Sequence, residues 1–332
     1  MISLNDRLLH EDKPRRYAVG LDLGGTNLKY GIVSDRGEVI YQNVIPVFAD
    51  HGRDHVLQTM VDAAYECVMF GRKESFEVEG IGVGCPGTID SDRGISLGPT
   101  PHLPDWENAP IAEYISQKMN LPVFADNDAN FMAFGEAMLG AGKQYKLVVG
   151  ITLGTGVGGG IIINGNIFHG SSYNGAELGH TIVEAHGRPC GCGNQGCLEQ
   201  YAGGKYIVKE ALSAIARGDK SVLSSVENIT PKTIFDFAQK NDTLCLNILE
   251  QMVFYLGAGL SSIVHVLNPD IIIIGGGLSE AGDAFVSRIH NEVIKRVMKP
   301  IKPKLQIVRA KLGNTAGLLG AGYYVLYKNR SK

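Results

Sequence analysis

Apolar positions along this chain recur with the period of strands in some segments and with the period of helices in others. Residues 17–33 place apolar, β-prone residues on both sides of a glycine turn, which predicts a strand, a tight turn and a second strand. Residues 270–277 run from four isoleucines into three glycines, as expected for a strand that is buried on both faces. Further strands are predicted over 38–46, 78–84, 121–125, 147–163 and 305–310.

Helical periodicity separates these strands. Between Val56 and Val68 apolar residues recur every four positions, which predicts an amphipathic helix over 54–70. The run Asp126-Asn127-Asp128 ends a strand and supplies capping residues for a helix over 129–139. Further helices are predicted over 108–119, 199–216, 231–240, 243–266, 280–297 and 315–327.

This order of elements predicts an α/β fold, and one internal similarity predicts how it is organised. Residues 19–24 (VGLDLG) align with residues 149–154 (VGITLG), and the apolar positions stay in step beyond both segments. The two segments are 130 residues apart, which is about the length of a domain. We therefore predict a duplicated α/β unit with a phosphate-binding loop in each half, although any two glycine-turned hairpins look alike.

Length and composition narrow the class of protein. The 332 residues predict two domains, and 44% hydrophobic with 20% charged residues is typical of a soluble globular protein. A net charge of -3 lacks the excess of positive charge that is typical of nucleic-acid-binding proteins. The first 16 residues are charged and lack the apolar segment of a signal peptide. No apolar run approaches the roughly 20 residues that span a bilayer, so we expect a cytoplasmic protein without nucleic-acid or membrane partners.

The first glycine turn has the composition of an anion-binding loop, with Asp22, Gly24, Gly25, Thr26 and Asn27. Glycines let backbone N–H groups approach an anion closely, and Thr26 adds a hydroxyl donor. Asp22 is suited to orient Mg²⁺ through water. Neither the P-loop pattern nor the Rossmann glycine pattern occurs here, and a plain turn is the alternative interpretation.

A second glycine loop contains Gly154, Thr155 and Gly156. So many glycines weaken a strand-to-strand turn unless its backbone must approach another group. Two such loops suit a nucleoside triphosphate. A third glycine stretch, around Gly276, is compatible with a close approach to adenine or ribose, but by itself it is weak evidence.

Three of the six cysteines are clustered. Cys190, Cys192 and Cys197, together with His180, offer the three thiolates and one imidazole of a closed, structural zinc site. In a cytosolic protein such clustering favours a metal over a disulfide, and redox-active thiols are the alternative. A DNA-binding zinc finger is not expected, since Arg188 is the only basic residue between 171 and 204.

Several acidic residues are candidates for sugar chemistry. Asp128 opens a predicted helix, whose N-terminus stabilises the carboxylate and prepares it to accept a proton. The alternatives are that Asp128 only caps the helix or that Asp126 takes this role. Glu177 and Glu199 flank the cysteine cluster and would supply hydrogen-bond acceptors for sugar hydroxyls, unless they are solvated surface residues.

Together these motifs resemble those of the ROK sugar kinases, the bacterial glucokinases among them. The resemblance extends from the first phosphate loop to the last helix. It rests on both phosphate loops, the Asn127-Asp128 pair, Glu177-Leu178-Gly179-His180 and the segment from Cys190 to Glu199.

The resemblance implies a two-domain actin-like (ribonuclease H-like) fold, with ATP and sugar in a cleft between the domains. It implies a small domain over 1–125 that takes back the helix 315–332, and a large domain over 126–314. It also implies MgATP as a substrate, a structural Zn²⁺, and a homodimer or homotetramer.

The resemblance further implies a role for each site residue. Asp128 matches the catalytic base and Asn127 its sugar-binding neighbour, while Gly87 lies where the family contacts the sugar through its backbone. Three more sugar ligands of the family match Glu177, His180 and Glu199. We therefore expect phosphoryl transfer from ATP to a hexose, and glucose with its 6-OH is the leading candidate.

One position departs from the family pattern. His102 stands near the sugar where the family commonly has asparagine, which keeps N-acetylmannosamine, N-acetylglucosamine, fructose and allose open as substrates. The sequence does not indicate whether ATP or polyphosphate is the preferred donor. Repressors of the family carry a helix–turn–helix domain before the first loop, and only 16 residues precede Tyr17. We therefore expect an enzyme rather than a non-catalytic sugar-binding regulator.

Overall fold

The computed structural model describes residues 15–101 and 103–330, and its contacts divide the chain into two compact units. Unit 1 contains the described residues up to Phe131 and from Gly317 onward, and unit 2 is Met132–Ala316. Both boundaries fall a few residues after the predicted 125/126 and 314/315. At the first, the strand that contains residue 125 continues to Asn127 and pairs with the sheet of unit 1.

Unit 1 is built on a five-stranded sheet and a short two-stranded one. The elements are β1 (Tyr17–Leu23), β2 (Asn27–Ser34), β3 (Val39–Pro46), α1 (Arg53–Lys73), β4 (Val78–Cys85), β5 (Ile89–Asp90), β6 (Ile95–Ser96), α2 (Ile111–Met119) and β7 (Val123–Asn127). The large sheet has the order β3-β2-β1-β4-β7, in which β1 is antiparallel to β2 and parallel to β4. A C-terminal helix, Ala316–Arg330, completes the unit.

The two faces of this sheet are covered differently. Leu21 and the other odd-numbered residues of β1 pack into the main core with α1 and α2. On the opposite face Gly20 lies beneath the C-terminal helix, where a Cβ would overlap the carbonyl oxygen of Leu318. Gly82 in β4 repeats this arrangement beneath Ala321. The helix backbone therefore rests directly on the two central strands.

Unit 2 repeats the plan with more helices. A helix that begins in unit 1, α3 (Asp128–Met138), leads into β8 (Leu147–Leu153), β9 (Val157–Ile163), β10 (Asn166–Ile167), α4 (Glu199–Ala202), α5 (Gly204–Ala216), α6 (Pro231–Ala238), α7 (Thr243–Leu267), β11 (Ile271–Gly275), α8 (Asp283–Arg296) and β12 (Ile307–Arg309). The C-terminal helix Ala316–Arg330 is therefore α9. The sheet order is β10-β9-β8-β11-β12.

The first strands of the two units correspond closely. β1 and β8 have the same length and the same sequence of buried and half-buried positions. Each is antiparallel to the following strand and parallel to a later one. Gly150 occupies the position of Gly20, and a Cβ there would come 2.6 Å from the Cβ of Ala133 in α3. These features support the predicted duplication.

The predicted elements differ from the structure mainly where local pattern is weak. Gly203 divides the predicted helix 199–216 into α4 and α5, and α9 extends to Arg330. The strands β5, β6 and β10 were not predicted, because two residues are too few to show a period.

Helix α7 is a longer apolar segment than the sequence analysis expected in this chain. Thr243–Leu267 has the length and composition of a membrane span, the one such helix among the described residues. However, 56% of its most apolar window is buried inside the structure, where it contributes to the core of unit 2. This burial is typical of the core helix of a globular domain.

A buried carboxylate joins both ends of unit 2. Glu136, near the end of α3, is fully buried. Its Oε1 accepts the backbone N–H of Leu312 (2.6 Å), and its Oε2 accepts that of Ala141 (2.9 Å). Leu312 directly precedes the segment by which the chain returns to unit 1. Glu136 thus ties the entry of the chain into unit 2 to its exit.

Replacing Glu136 with Gln should destabilise unit 2. An amide keeps the side-chain volume, but its buried NH₂ group would face a backbone N–H in place of an acceptor. A buried donor without an acceptor costs about 1–3 kcal/mol. We expect a lower midpoint of thermal unfolding by calorimetry. The exposed Glu250 in the same unit is a matched control, and Glu250→Gln should leave the midpoint unchanged. Equal midpoints for the two variants would contradict the structural role of Glu136.

Candidate active site

Three consecutive polar residues at the end of β7 have different environments. Asp126 is only 1% exposed. One of its oxygens, Oδ1, accepts the backbone N–H of Asn127 (2.7 Å) and the side-chain N–H of Asn130 (2.9 Å). Asp126 is therefore engaged in holding the start of α3.

Asn127 caps helix α3 and also binds a neighbouring loop. Its Oδ1 accepts the backbone N–H groups of Ala129 (2.9 Å) and Asn130 (3.2 Å). Its Nδ2 donates to the carbonyl oxygen of Gly87 (3.0 Å). Gly87 has a φ of 89°, a conformation that favours glycine. The structure thus brings together Asn127 and Gly87, two of the predicted sugar contacts.

Asp128 is the first residue of α3 and is half-buried. Its Oδ1 accepts the backbone N–H of Ala129 (2.9 Å). Gly84 of β4 lies just below it, since a Cβ on Gly84 would be 3.5 Å from the Cα of Asp128. Of the two aspartates, Asp128 is the one with a solvent-accessible side chain, whereas Asp126 is closed off. This difference favours Asp128 for contact with a substrate.

A buried thiol lies among the acidic residues of unit 1. Burial raises the pKa of Cys85 well above its usual value, and the carboxylates of Asp128, Asp22 and Asp126 raise it further. Cys85 is fully buried at the end of β4. Strand register alone places Cys85 between Asp22 and Asp128, so no local pattern in the sequence predicts this position.

Asp22 lies near the end of β1, two residues before the first glycine loop. Burial raises the pKa of Asp22, and Lys29, whose Nζ lies 4.0 Å from Asp22 Oδ2, lowers it. The carboxylate lies against Gly317, at the start of α9, where a Cβ would approach it to 2.9 Å. A carboxylate oxygen is the kind of ligand that Mg²⁺ prefers, so the residue fits the predicted role in orienting that ion.

The turn itself is closed by a single backbone bond. The N–H of Gly24 donates to the carbonyl oxygen of Asn27 (2.9 Å), and the carbonyl oxygen of Thr26 accepts the N–H of Val47 (2.9 Å). Gly25, Thr26 and Asn27 are exposed. The loop therefore presents its backbone to solvent, as an anion-binding turn must.

The second glycine loop, Gly154–Gly156, is held by the first two residues of α5. The carbonyl oxygen of Gly154 accepts the N–H of Gly204 (2.8 Å), and that of Thr155 accepts the N–H of Lys205 (3.0 Å). The N–H of Gly154 donates to the carbonyl oxygen of Gly156 (3.0 Å), which closes the turn.

The third glycine stretch lies next to the second loop. Gly276 has a φ of 81°, and a Cβ on it would overlap the backbone of Leu153, the residue that precedes Gly154. Both predicted nucleotide-binding segments of unit 2 are therefore neighbours.

The three predicted sugar ligands of unit 2 are also close together. Desolvation by the surrounding protein raises the pKa of Glu177, the nearby His180 lowers it, and the carboxylate of Glu199 raises it. Glu199 Oε2 accepts the backbone N–H of Val157 (3.1 Å), so this side chain also reaches the second glycine loop. That contact was not predicted, because nothing in the local sequence links residues 157 and 199.

The cysteine cluster has the geometry of a tetrahedral metal site. The ligand atoms of His180, Cys190, Cys192 and Cys197 all lie within 4.8 Å of one another. Cys192 Sγ and Cys197 Sγ are 3.7 Å apart, and Cys190 Sγ is 3.6 Å from His180 Nδ1. Zinc with a Zn–S bond of about 2.3 Å and a Zn–N bond of about 2.0 Å gives edges of about 3.8 and 3.5 Å in a tetrahedron. These residues fit Zn²⁺.

The metal cluster is supported by its own loop. Gln200 donates its side-chain N–H to Cys190 Sγ (3.3 Å), the kind of outer contact that orients a ligand. The N–H of Cys190 donates to the carbonyl oxygen of Asn194 (2.8 Å), and that of Gly193 to the carbonyl oxygen of Cys190 (3.1 Å). The loop is thus folded by backbone bonds around the four ligands.

His102, the position that departs from the family pattern, lies outside the described residues. Its predicted contact with the sugar therefore stays a prediction.

Comparisons with known proteins identify the family of this chain. A family model of the ROK family matches residues 18–328. The chain belongs to the ROK family. It is 34% identical over 326 residues to a glucokinase of Halalkalibacterium halodurans, covering 95% of this chain and 97% of that protein. It is 33% identical over 312 residues to a glucokinase of Thermotoga maritima, with 93% and 96% covered.

A solved ROK structure confirms the fold. The ROK family glucokinase of Streptomyces griseus, in complex with glucose and AMPPNP, superposes with a TM-score of 0.79 and 32% identity, covering 92% of this chain and 97% of that one. The chain has the two-domain actin-like α/β fold that the motifs implied. ROK relatives also include a xylose repressor of Bacillus subtilis, 29% identical, of which this chain covers 78%.

The metal site gives a direct prediction. If Cys192 is one of four zinc ligands, Cys192→Ser should release the ion and lower the midpoint of thermal unfolding. Elemental analysis of the purified protein should give about one zinc per chain for the unchanged protein, and much less for the variant. Cys245→Ser, which changes a buried thiol outside the cluster, should keep its zinc. A Cys192→Ser protein with full zinc content would refute the ligand set.

Proposed function

We propose that this ROK protein transfers the γ-phosphoryl group of ATP to a hexose, and that it converts glucose to glucose 6-phosphate. The observation that carries the proposal is the division of roles at the start of α3. Asp126 and Asn127 are engaged in holding the helix and the Gly87 loop, while Asp128 presents an accessible carboxylate at the helix N-terminus. A helix N-terminus favours the ionised form that a general base needs.

Each unit has its own part in this chemistry. In unit 1, Asp128 accepts the proton of the sugar hydroxyl as that oxygen attacks phosphorus, while Asn127 and the backbone at Gly87 orient the sugar. In unit 2, Glu177, His180 and Glu199 bind further sugar hydroxyls. Phosphoryl transfer depends mostly on such positioning and on charge stabilisation.

The glycine loops are proposed to hold the phosphates. The first loop, Gly24–Asn27, and the second, Gly154–Gly156, bind phosphate oxygens through backbone N–H groups, and Gly276 contacts the nucleoside. A bound Mg²⁺ would offset negative charge on these oxygens, and Asp22 would orient it. His180 and the three cysteines would hold Zn²⁺ in a structural role, which keeps the sugar-binding residues in register.

We further propose that the enzyme acts in the cytoplasm as a homodimer or homotetramer. The support is the resemblance to the ROK sugar kinases, which implies such oligomers. Light scattering on the purified protein measures the oligomer size directly.

Asp128→Asn should lower kcat by roughly 10²- to 10⁴-fold, the usual contribution of a general base. The amide keeps the size of the side chain but accepts a proton poorly, so glucose should still bind by calorimetry. Asp126→Asn is the comparison, because this change removes a buried structural carboxylate. It should lower the midpoint of unfolding more than Asp128→Asn does. Near-normal turnover of Asp128→Asn would refute the assignment of the base.

The sugar itself can be identified by a coupled ADP-release assay. We expect the highest kcat/KM with glucose when glucose, fructose, allose, N-acetylglucosamine and N-acetylmannosamine are compared. Polyphosphate in place of ATP tests the donor in the same assay. If His102 selects the sugar, His102→Asn should change the ratio of kcat/KM values between sugars. No ADP release with any sugar would favour a sugar-binding regulator instead.

A further inference from the structure

The contact between Glu199 and the second glycine loop has a consequence for nucleotide binding. Glu199 Oε2 accepts the N–H of Val157 (3.1 Å), the residue that directly follows the loop. Gly156 leaves the space that this carboxylate occupies, since a Cβ on Gly156 would overlap Glu199 Oε2. The loop and the side chain are thus packed against each other with no room for a larger residue.

A second set of contacts to the loop comes from the start of α5, a few residues after Glu199. The N–H groups of Gly204 and Lys205 bind the carbonyl oxygens of Gly154 and Thr155. In a planar trans peptide the C=O and the N–H point in opposite directions. With both carbonyls turned toward α5, the N–H groups of Thr155 and Gly156 point away from it. Two successive N–H groups directed outward from a turn form an anion-binding concavity.

The end of this concavity is set by Glu199. The next N–H along the chain, that of Val157, is held by the carboxylate, and a hydrogen bond to a charged acceptor is stronger than one between neutral groups. A glycine-rich loop has much conformational freedom to lose when it binds a ligand. Contacts that order the loop beforehand reduce that cost and so raise its affinity for phosphate.

We propose that Glu199 is a positioning residue for the nucleotide: its carboxylate orders the second glycine loop for the phosphates of ATP, in addition to its part in binding the sugar. This inference rests on the proposed kinase function. It predicts that one side chain affects the affinity for both substrates, whereas Glu177, the other predicted sugar-binding glutamate, affects the sugar alone.

The test is the affinity for the MgAMPPNP complex, measured by calorimetry without any sugar. Glu199→Ala should weaken binding about 10-fold, which corresponds to about 1.4 kcal/mol. Glu177→Ala is the matched control, and its affinity for the nucleotide should equal that of the unchanged protein. Glu199→Gln should restore most of the affinity, because an amide oxygen can still accept the N–H of Val157.

A second variant tests the same contact from the loop. Gly156→Ala places a methyl group where the carboxylate lies, so it should also weaken nucleotide binding. If both changes act through one contact, the double variant should lose less affinity than the two single losses combined. Zinc content is measured for every variant, because Glu199 lies two residues after Cys197, and full zinc shows that the metal loop is intact.

The outcomes separate this inference from the proposed function. Equal nucleotide affinity for Glu199→Ala and the unchanged protein would overturn the positioning role and leave the kinase proposal intact. Equal losses for Glu199→Ala and Glu177→Ala would overturn it as well, since the effect would then be general. If Glu199→Ala does not fold, Glu199→Gln and Gly156→Ala carry the test. An unchanged protein that binds no nucleotide at all would refute the proposed function itself.

Discussion

The packing of helix backbones directly on the central strands is the constraint on which the rest of this structure depends. Gly82 and Gly150 carry no side chain because a helix passes over each of them at a distance that a Cβ would not allow. Gly84, next along β4 on the same face as Gly82, lies beneath the start of α3, where an added Cβ would be in ordinary contact with the Cα of Asp128 (3.5 Å). The proposed base therefore stands on the same sheet whose packing the glycines determine.

The same plan occurs in both units, but the two glycine loops are supported in different ways. The first loop is closed by its own turn and bound by Val47 at the start of the next segment. The second is bound by α5 on one side and by Glu199 on the other. The second loop thus has a separate support in unit 2, which comes from the part of the chain just after the cysteine cluster. This difference makes the second loop dependent on residues far away in sequence.

Sequence reasoning predicted best the features that depend on spacing along the chain. The glycine loops, the Cys190–Cys197 cluster and most helices and strands follow from periods and short motifs. Spacing alone did not choose between Asp126 and Asp128, because both are aspartates at a helix start; the family resemblance favoured Asp128, and burial distinguishes the two. It also missed Glu136, whose partner Leu312 is distant in sequence. Contacts of that kind are set by tertiary packing and leave no local pattern.

The order of residues in unit 2 explains how a structural metal would stabilise the loop next to the proposed substrate site. The loop that contains Cys190 and Cys192 is rich in glycine, and such a loop loses much conformational entropy when it folds. Cross-linking it through one ion offsets that loss, as structural zinc does in other small loops. Cys197 ends the loop, and buried Leu198 follows it. Because Glu199 is the next residue, a metal that fixes Cys197 also restricts the position of Glu199. On the proposal made above, one continuous segment therefore holds the metal, contacts the sugar and orders the phosphate loop. Loss of the metal would then weaken the binding of both substrates.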